Sequence, residues 1–413
     1  MKNLLFLLPG FWLWWTEKTA YIYMKSLKKE FNVFSASIFW WWARLMDFKN
    51  CGEDTLVAEW DYWKIKEFIV KNNIDIIYMH WISKSKNTKE LINFLDWVKN
   101  NWIIIIETSP FSVFSPDTDK YIDYKLFVSK GSLLKFLRKF KNPKITKYDY
   151  LYNPIDSDYL QKFVLDKEQK IKEREKLWIN KEDFVIWKVW RADLWKWDDT
   201  IINIVPLLIK DILNLKVVIR SLPNYKLKKI KKLWIEKYFV LLPESVDERD
   251  IANTYQIMDV MLHTSRIGES FGIALVEWMF FWIPVLTTDT DWMQRTVFDR
   301  DNSQWEILWK HNKGFVNNDI NSIIKIIRDF YGDKSLIENV WSKNKKYAIE
   351  HYSNVVLKDK LLDIIEWKNE GNFDINQELT NYKSRIIKTS FLYRVLLSIK
   401  ALFEYVFCFL LKS

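Results

Sequence analysis

Short apolar runs alternate along this chain with longer stretches in which apolar residues recur every three or four positions. A first series of runs covers 3–8, 31–38 (the weakest), 74–79 (IDIIYM), 102–107 (WIIIIE) and 124–128. A second covers 184–190, 215–220 (LKVVIR), 238–243 (YFVLLP), 258–264 (MDVMLHT) and 283–288 (IPVLTT). Continuous apolar strands separated by amphipathic helices predict parallel sheets covered on both faces. The segment from Thr16 to Lys28 reads as the first such helix. Two series divided by the charged stretch 162–182 predict two Rossmann-like α/β domains, with YNPID (152–156) where the first ends. No internal repeat or low-complexity segment is present.

The length of 413 residues suffices for two full cores, and a hydrophobic content of 49% excludes a disordered chain. Cys51 and Cys408 are the only cysteines, which excludes a disulfide framework and a cysteine zinc site and points to a reducing, cytoplasmic setting. MKNLLFLLPG is too short and too soon interrupted for a secretory signal and reads as the first strand. The net charge of +10 concentrates in KFLRKFKNPKITKY (135–148) and KLKKIKK (226–232), each either a solvated helix face or a surface for anionic lipid or nucleic acid. The tail FLYRVLLSIKALFEYVFCFLL (391–411) is one bilayer long but carries Arg394, Lys400 and Glu404. It reads as an interfacial helix rather than a spanning one, or as a helix packed on the protein itself.

Tryptophan is where the chain departs most from ordinary usage. There are 24 Trp and only 8 Gly, whereas glycine averages about 7% of residues. Tryptophan also stands where turn chemistry asks for glycine: FWLWWTEKTA (11–20), KLWIN (176–180), VIWKVWRADLWKW (185–197) and FFWIPVLTTDTDWMQ (280–294). A strand-to-helix turn wants glycine because the backbone bends tightly and often approaches a ligand. Two readings follow. Many of these tryptophans are glycines encoded by UGA, as in bacterial lineages that reassign that codon, or the indoles are genuine core or stacking residues. The first expects Trp15, Trp190 and Trp282 in turns or against the interdomain cleft, in strained or crowded settings.

The segment HTSRIGESFGIALVEWMFFWIPVLTTDT (263–290) carries the clearest chemistry. A strand ends in a loop, and a helix is expected to begin near Phe271. The first N–H groups of that helix, from Gly272 and Ile273 onward, form an anion site by geometry and dipole. Glu269 precedes the helix and Glu277 is expected about two turns inside it. If both were helical they would stand roughly 12 Å apart, beyond the roughly 5–9.5 Å of a glycosidase pair. They suit one extended ligand instead: a diphosphate at the helix end, flanked by carboxylates that accept sugar and ribose hydroxyls.

E-S-F-G-I-A-L-V-E followed by I-P-V-L-T-T-D resembles the E-x7-E segment of glycosyltransferase family 4, an α/β GT-B family with two Rossmann-like domains facing across a cleft. KVWRADLWKWDD (188–199) resembles that family's G-R-x(n)-K-G segment, YNPID its interdomain segment, and LWWTEK its N-terminal G-G-x-E loop. The likeness spans roughly 3–365 and is stronger in the second domain. Family glycines fall at Trp15, Trp190, Trp282 and Trp292.

The resemblance implies a retaining, metal-independent glycosyltransferase that moves a sugar from a nucleotide-sugar donor to a glycan or lipid-linked acceptor, with no cofactor. Arg191 and Lys196 then neutralise the donor diphosphate beside Trp15. Glu269 contacts the transferred sugar, Glu277 accepts from the ribose, and Phe271, Gly272 and Ile273 supply loop and backbone contacts. His80, after the third predicted strand, is a candidate near the acceptor, and Glu107 ends a strand where many relatives have histidine. The implied plan is an acceptor domain over 1–156, a donor domain over 157–350, a returning helix over 351–370 and a basic, aromatic tail over 371–413. It implies a cytoplasmic location, with an anionic membrane surface as a further partner and no nucleic acid. The rivals are an inactive or divergent GT-B protein such as a nucleotide-sugar epimerase, or, if the tryptophans are genuine, a non-catalytic binding protein.

Overall fold

A computed structural model describes residues 1–12, 15–39, 43–80, 88–140, 147–189, 197–265, 268–288, 303–308, 315–316, 320–366 and 399. Two compact units emerge, one from Met1–Asp156 with the segment beginning at Tyr352, the other from Ser157–His351.

The first unit is a seven-stranded parallel sheet of β1 (Lys2–Leu8), β2 (Phe31–Ser37), β3 (Thr55–Val57), β4 (Ile76–His80), β5 (Ile104–Ser109), β6 (Tyr124–Phe127) and β7 (Lys147–Tyr150), in the order β3-β2-β1-β4-β5-β6-β7. Side chains alternate between the faces of a strand, and the central strand β1 is apolar on both. Leu4, Phe6 and Leu8 pack with Ala20, Tyr23 and Leu27 of the helix Trp15–Leu27 and with Leu357, Leu361 and Ile364 of the helix Asn354–Ile365. Leu5 and Leu7 face the other way, onto Ile65, Phe68, Leu91 and Leu95 of the helices Tyr62–Lys71 and Thr88–Asn100. Burial on both faces is why the strand reads LLFLL rather than alternating.

The second unit repeats the plan with six parallel strands: β8 (Phe184–Val189), β9 (Leu215–Arg220), β10 (Phe239–Leu242), β11 (Val260–His263), β12 (Val285–Thr288) and β13 (Phe315–Val316), in the order β10-β9-β8-β11-β12-β13. Ile186, Val217, Val260, Leu262 and Leu286 line one face under the helices Thr200–Leu208 and Ile320–Gly332.

Among the described residues all ten predicted strands are present, β9 with the expected bounds and the other nine with shifted ends, and three strands were missed. β3 has three residues and β13 two; β7 (KYDY) is half-buried throughout. Each is too short or too polar to leave an apolar run. The first helix, expected from Thr16, starts one residue earlier.

Both sheets reverse direction at an internal point. β1 leads outward to β2 and β3 on one side and inward to β4 on the other; β8 does the same between β9 and β11. In open parallel sheets, ligands bind outside the carboxyl ends of the strands at such a reversal.

Candidate functional site

In the second unit the reversal lies between β8 and β11, and the segment singled out from the sequence leaves the carboxyl end of β11. The helix there is Ile273–Phe280, two residues later than expected, so Glu277 sits little more than one turn inside it rather than two. Gly272 is its N-cap, with φ 81° and ψ 63° and no side-chain cap. This left-handed conformation is costly for any residue with a Cβ, and a Cβ here would also meet Leu275 at 3.0 Å. The first-turn N–H groups of a helix have no intrahelical acceptor, which is what an anion site uses; here they begin at Ile273 and Ala274. Phe271 and Ile273 are buried, and so is Glu277, at 4% exposure.

Glu269 is half-buried, and its backbone is held twice. Its N–H donates to the Gln304 side-chain carbonyl at 2.8 Å, and its carbonyl accepts from the Ser303 N–H at 2.8 Å. Ser303 and Gln304 are fully buried. They belong to the stretch DRDNSQWE (299–306).

Lys188 was not foreseen. It is fully buried near the carboxyl end of β8. Its ammonium donates to Asp198 Oδ1 at 2.9 Å, to the Thr264 carbonyl at 3.0 Å and to the Thr264 hydroxyl, which itself donates to Asp198 Oδ1 at 2.8 Å. Asp198 also accepts from the Thr200 N–H at 3.0 Å. Burial disfavours the Asp198 carboxylate, but Lys188, Thr264 and Thr200 together hold it below its usual range. The signal in the sequence is a lysine inside the apolar run FVIWKV. The neighbouring Asp199 pairs with Lys226 and with Lys229 at 2.8 Å, which turns part of the basic helix 224–232 toward the protein.

Arg191, Lys196, Trp190 and Trp292 lie outside the described residues, as does the tail 391–411 apart from residue 399. Trp15 opens its helix, and its side chain is outside the description.

In the first unit the reversal lies between β1 and β4, and His80 ends β4. Its ring has no exposed surface, stacks on Phe6 with centroids 6.4 Å apart, and neither nitrogen has a hydrogen-bond partner among the described residues. Burial lowers its pKa to about 3, so the imidazole is neutral near pH 7. Glu107, on β5, is fully buried beside Lys125 of β6 at 3.1 Å, and Lys125 reaches Asp119 at 2.7 Å. Two carboxyls thus share one ammonium. Burial, with Glu107 adding to it, raises Asp119 to about 6 against the pull of Lys125. Among the described residues, no group of three or more His, Cys, Asp or Glu is placed to hold a metal ion, and no helix is long and apolar enough to cross a membrane.

Two parallel-sheet α/β units, each with one reversal of strand order, have the GT-B fold. Residues 169–347 match the family of glycosyl transferases group 1, and the chain is a glycosyltransferase. HepE of Anabaena, solved in complex with UDP, is similar over 89% of this chain and 100% of its own, with a TM-score of 0.70 and 15% identity. A glycosyltransferase from Rickettsia africae is similar over 90% of this chain and 100% of its own, with a TM-score of 0.70 and 16% identity. The pneumococcal O-GlcNAc transferase GtfA, solved with UDP and GlcNAc, is similar over 74% of this chain and 60% of its own, at a TM-score of 0.51 and 14% identity. No curated protein matches the chain in sequence.

Proposed function

We propose that this enzyme is a retaining, metal-independent glycosyltransferase that takes a sugar from a nucleotide-sugar and passes it to a glycan or lipid-linked acceptor. The observation that carries this reading is the helix Ile273–Phe280. It starts on a left-handed glycine beside the sheet reversal, with Glu277 buried one turn in. The donor diphosphate lies against the helix N–H groups, where Arg191 and Lys196 add positive charge. The departing diphosphate gains charge in the transition state, and preorganised cations and N–H groups stabilise it there. Glu277 accepts from the ribose hydroxyls, and Glu269, with its backbone held by Ser303 and Gln304, contacts the transferred sugar. Phe271 and Ile273 shape the loop, Trp15 at the start of its helix is a donor-side candidate, and His80 at the end of β4 is an acceptor-side one. The UDP bound by HepE and GtfA supports a nucleoside diphosphate as the leaving group. The basic stretch 135–148 and the tail 371–413 suit a peripheral position on the cytoplasmic membrane face.

The test is transfer from a panel of nucleotide-sugars to glycan and lipid-linked acceptors, with the anomeric configuration of the product read by NMR. Retention, with activity undiminished in EDTA, is the expected result. An inverted product or loss of activity in EDTA removes those two features. Glu277→Gln, which deletes one charged hydrogen-bond acceptor worth about 1.5–3 kcal/mol, raises the donor KM about 10- to 100-fold; an unchanged KM contradicts the ribose role.

We further propose that many tryptophans of the printed sequence stand for glycine. Trp102, Trp178, Trp234 and Trp282 have φ between 56° and 64°. Each ends a helix in the same motif: its N–H bonds three residues back, and the next N–H bonds five residues back, from Ile103 to Val98, Ile179 to Arg174, Ile235 to Ile230 and Ile283 to Trp278. Glycine is the usual residue at this position of a Schellman cap. Trp102, Trp178 and Trp234 are 93%, 90% and 87% exposed, so their indoles pack on nothing that would offset the strain. Some tryptophans do pack: Trp187 in β8, Trp197 and Trp278 are buried, so not every tryptophan stands at a turn. Peptides from native cells covering 102, 178, 234 and 282 are expected to weigh as glycine. Tryptophan masses overturn the proposal.

A further inference from the structure

We propose that Lys188 is a positioning residue of the donor edge. Its ammonium locks the end of β8, the start of the helix Thr200–Leu208 and the end of β11 into one fixed geometry. The inference rests on the donor-site reading above. A lysine buried at the centre of a parallel sheet is a costly choice, since an ammonium taken out of water loses hydration that pairing must repay. An apolar residue would fit the run FVIWKV without that cost, and β8 would pair equally well, because its register with β9 and β11 is carried by the backbone. What an apolar residue cannot do is tie together loops far apart in sequence.

The ammonium has three N–H donors, and three acceptors are spoken for: Asp198 Oδ1, the Thr264 carbonyl and the Thr264 hydroxyl. Nothing is left over for a ligand, so Lys188 acts through its neighbours. Asp198 passes the constraint to the helix by accepting from the Thr200 N–H. Thr264 stands at the exit of β11, four residues before Gly268 and the loop that carries Glu269 to the helix N-terminus. Asp198 closes the segment that holds Arg191 and Lys196 in the sequence. The two loops credited with donor binding therefore leave the sheet from one buried node.

Lys188→Met alone strands the Asp198 carboxylate in the interior and destabilises the fold, so the informative variant is the paired Lys188→Met/Asp198→Asn, which removes both charges. In the full-length chain, amide hydrogen exchange of 264–265, 268–272 and 198–200 is expected to quicken at least tenfold relative to the unaltered protein, with β9 unaffected. Calorimetric affinity for UDP is expected to fall at least tenfold while the melting temperature stays within a few degrees. Thr264→Val, which removes one acceptor, is expected to give a smaller loss in the same order. Unchanged exchange at those amides overturns the positioning role whatever the nucleotide does. Quickened exchange with unchanged UDP affinity overturns the link to the donor. If the unaltered chain binds no nucleoside diphosphate, the donor reading itself fails, and the exchange measurement still decides whether Lys188 fixes the loops.

Discussion

Glu17 follows the loop after β1 and is buried to 1% exposure, with Oε2 unpartnered among the described residues. Burial raises its pKa to about 7, outweighing its own backbone N–H, Thr16 and Arg44. Below about pH 4.5 the carboxyl is protonated in both folded and unfolded chains. Between there and about 7 only the folded chain keeps its proton, so stability falls as pH rises through this window. The full penalty, on the order of 3 kcal/mol for such a shift, is present above it. Glu17→Gln is expected to melt close to the unaltered protein at pH 4.5 and well above it at pH 8; equal differences at both pH values contradict the burial account. His80 has the opposite sign. Its pKa of about 3 lies below the ordinary value, so the folded chain resists protonation and loses stability as pH falls from about 6.5. His80→Asn is expected to flatten that acid limb, measured by the same melts.

At the scale of the element, the helix ends are the most informative feature. Among the described residues, five helices close with the same pair of hydrogen bonds; four place Trp at the left-handed position and one places Asn73, and the residue after it is isoleucine each time. A left-handed residue with a Cβ costs roughly 1–2 kcal/mol, partly offset by the greater unfolded-state freedom of glycine. Trp102→Gly, Trp178→Gly and Trp234→Gly are each expected to stabilise the printed chain by about 0.5–1.5 kcal/mol in urea denaturation. Loss of stability at all three positions contradicts the reading of these sites as glycine sites. The same elements show what the sequence could reveal. Strands buried on both faces, such as FLL in β1 or IIII before Glu107, leave apolar runs that mark themselves. Edge strands such as KYDY do not. The helix Ile273–Phe280 was legible to within two residues from the apolar run IALV, although Gly272 was read as lying in its first turn and is in fact its cap. The node at Lys188 was not, because pairing between residues 76 positions apart leaves no local pattern. Ser303 holds Glu269 through its own N–H and Gln304 through its side-chain carbonyl, pairings 34 and 35 residues apart that leave no local pattern.

For the whole molecule, two sheets of the same plan each reverse direction once, and each reversal brings chemistry to a carboxyl edge. In the second unit these are Glu269, Gly272, Glu277 and the Lys188 node; in the first, His80 and the loop leaving β1. Neutral, fully buried His80 suits hydrogen bonding to a hydroxyl more than carrying a proton. The weight of the account therefore falls on the second unit and on its affinity for a nucleoside diphosphate. The most direct measurement is calorimetric titration of the full-length chain, in its printed form and with glycine at Trp15, Trp190, Trp282 and Trp292, with UDP, GDP, ADP and CDP in the presence of EDTA. One nucleoside diphosphate is expected to bind at one site per chain, more tightly in the glycine form, and at least tenfold more weakly after Glu277→Gln. If neither form binds any of the four, the donor site proposed at the helix Ile273–Phe280 is contradicted.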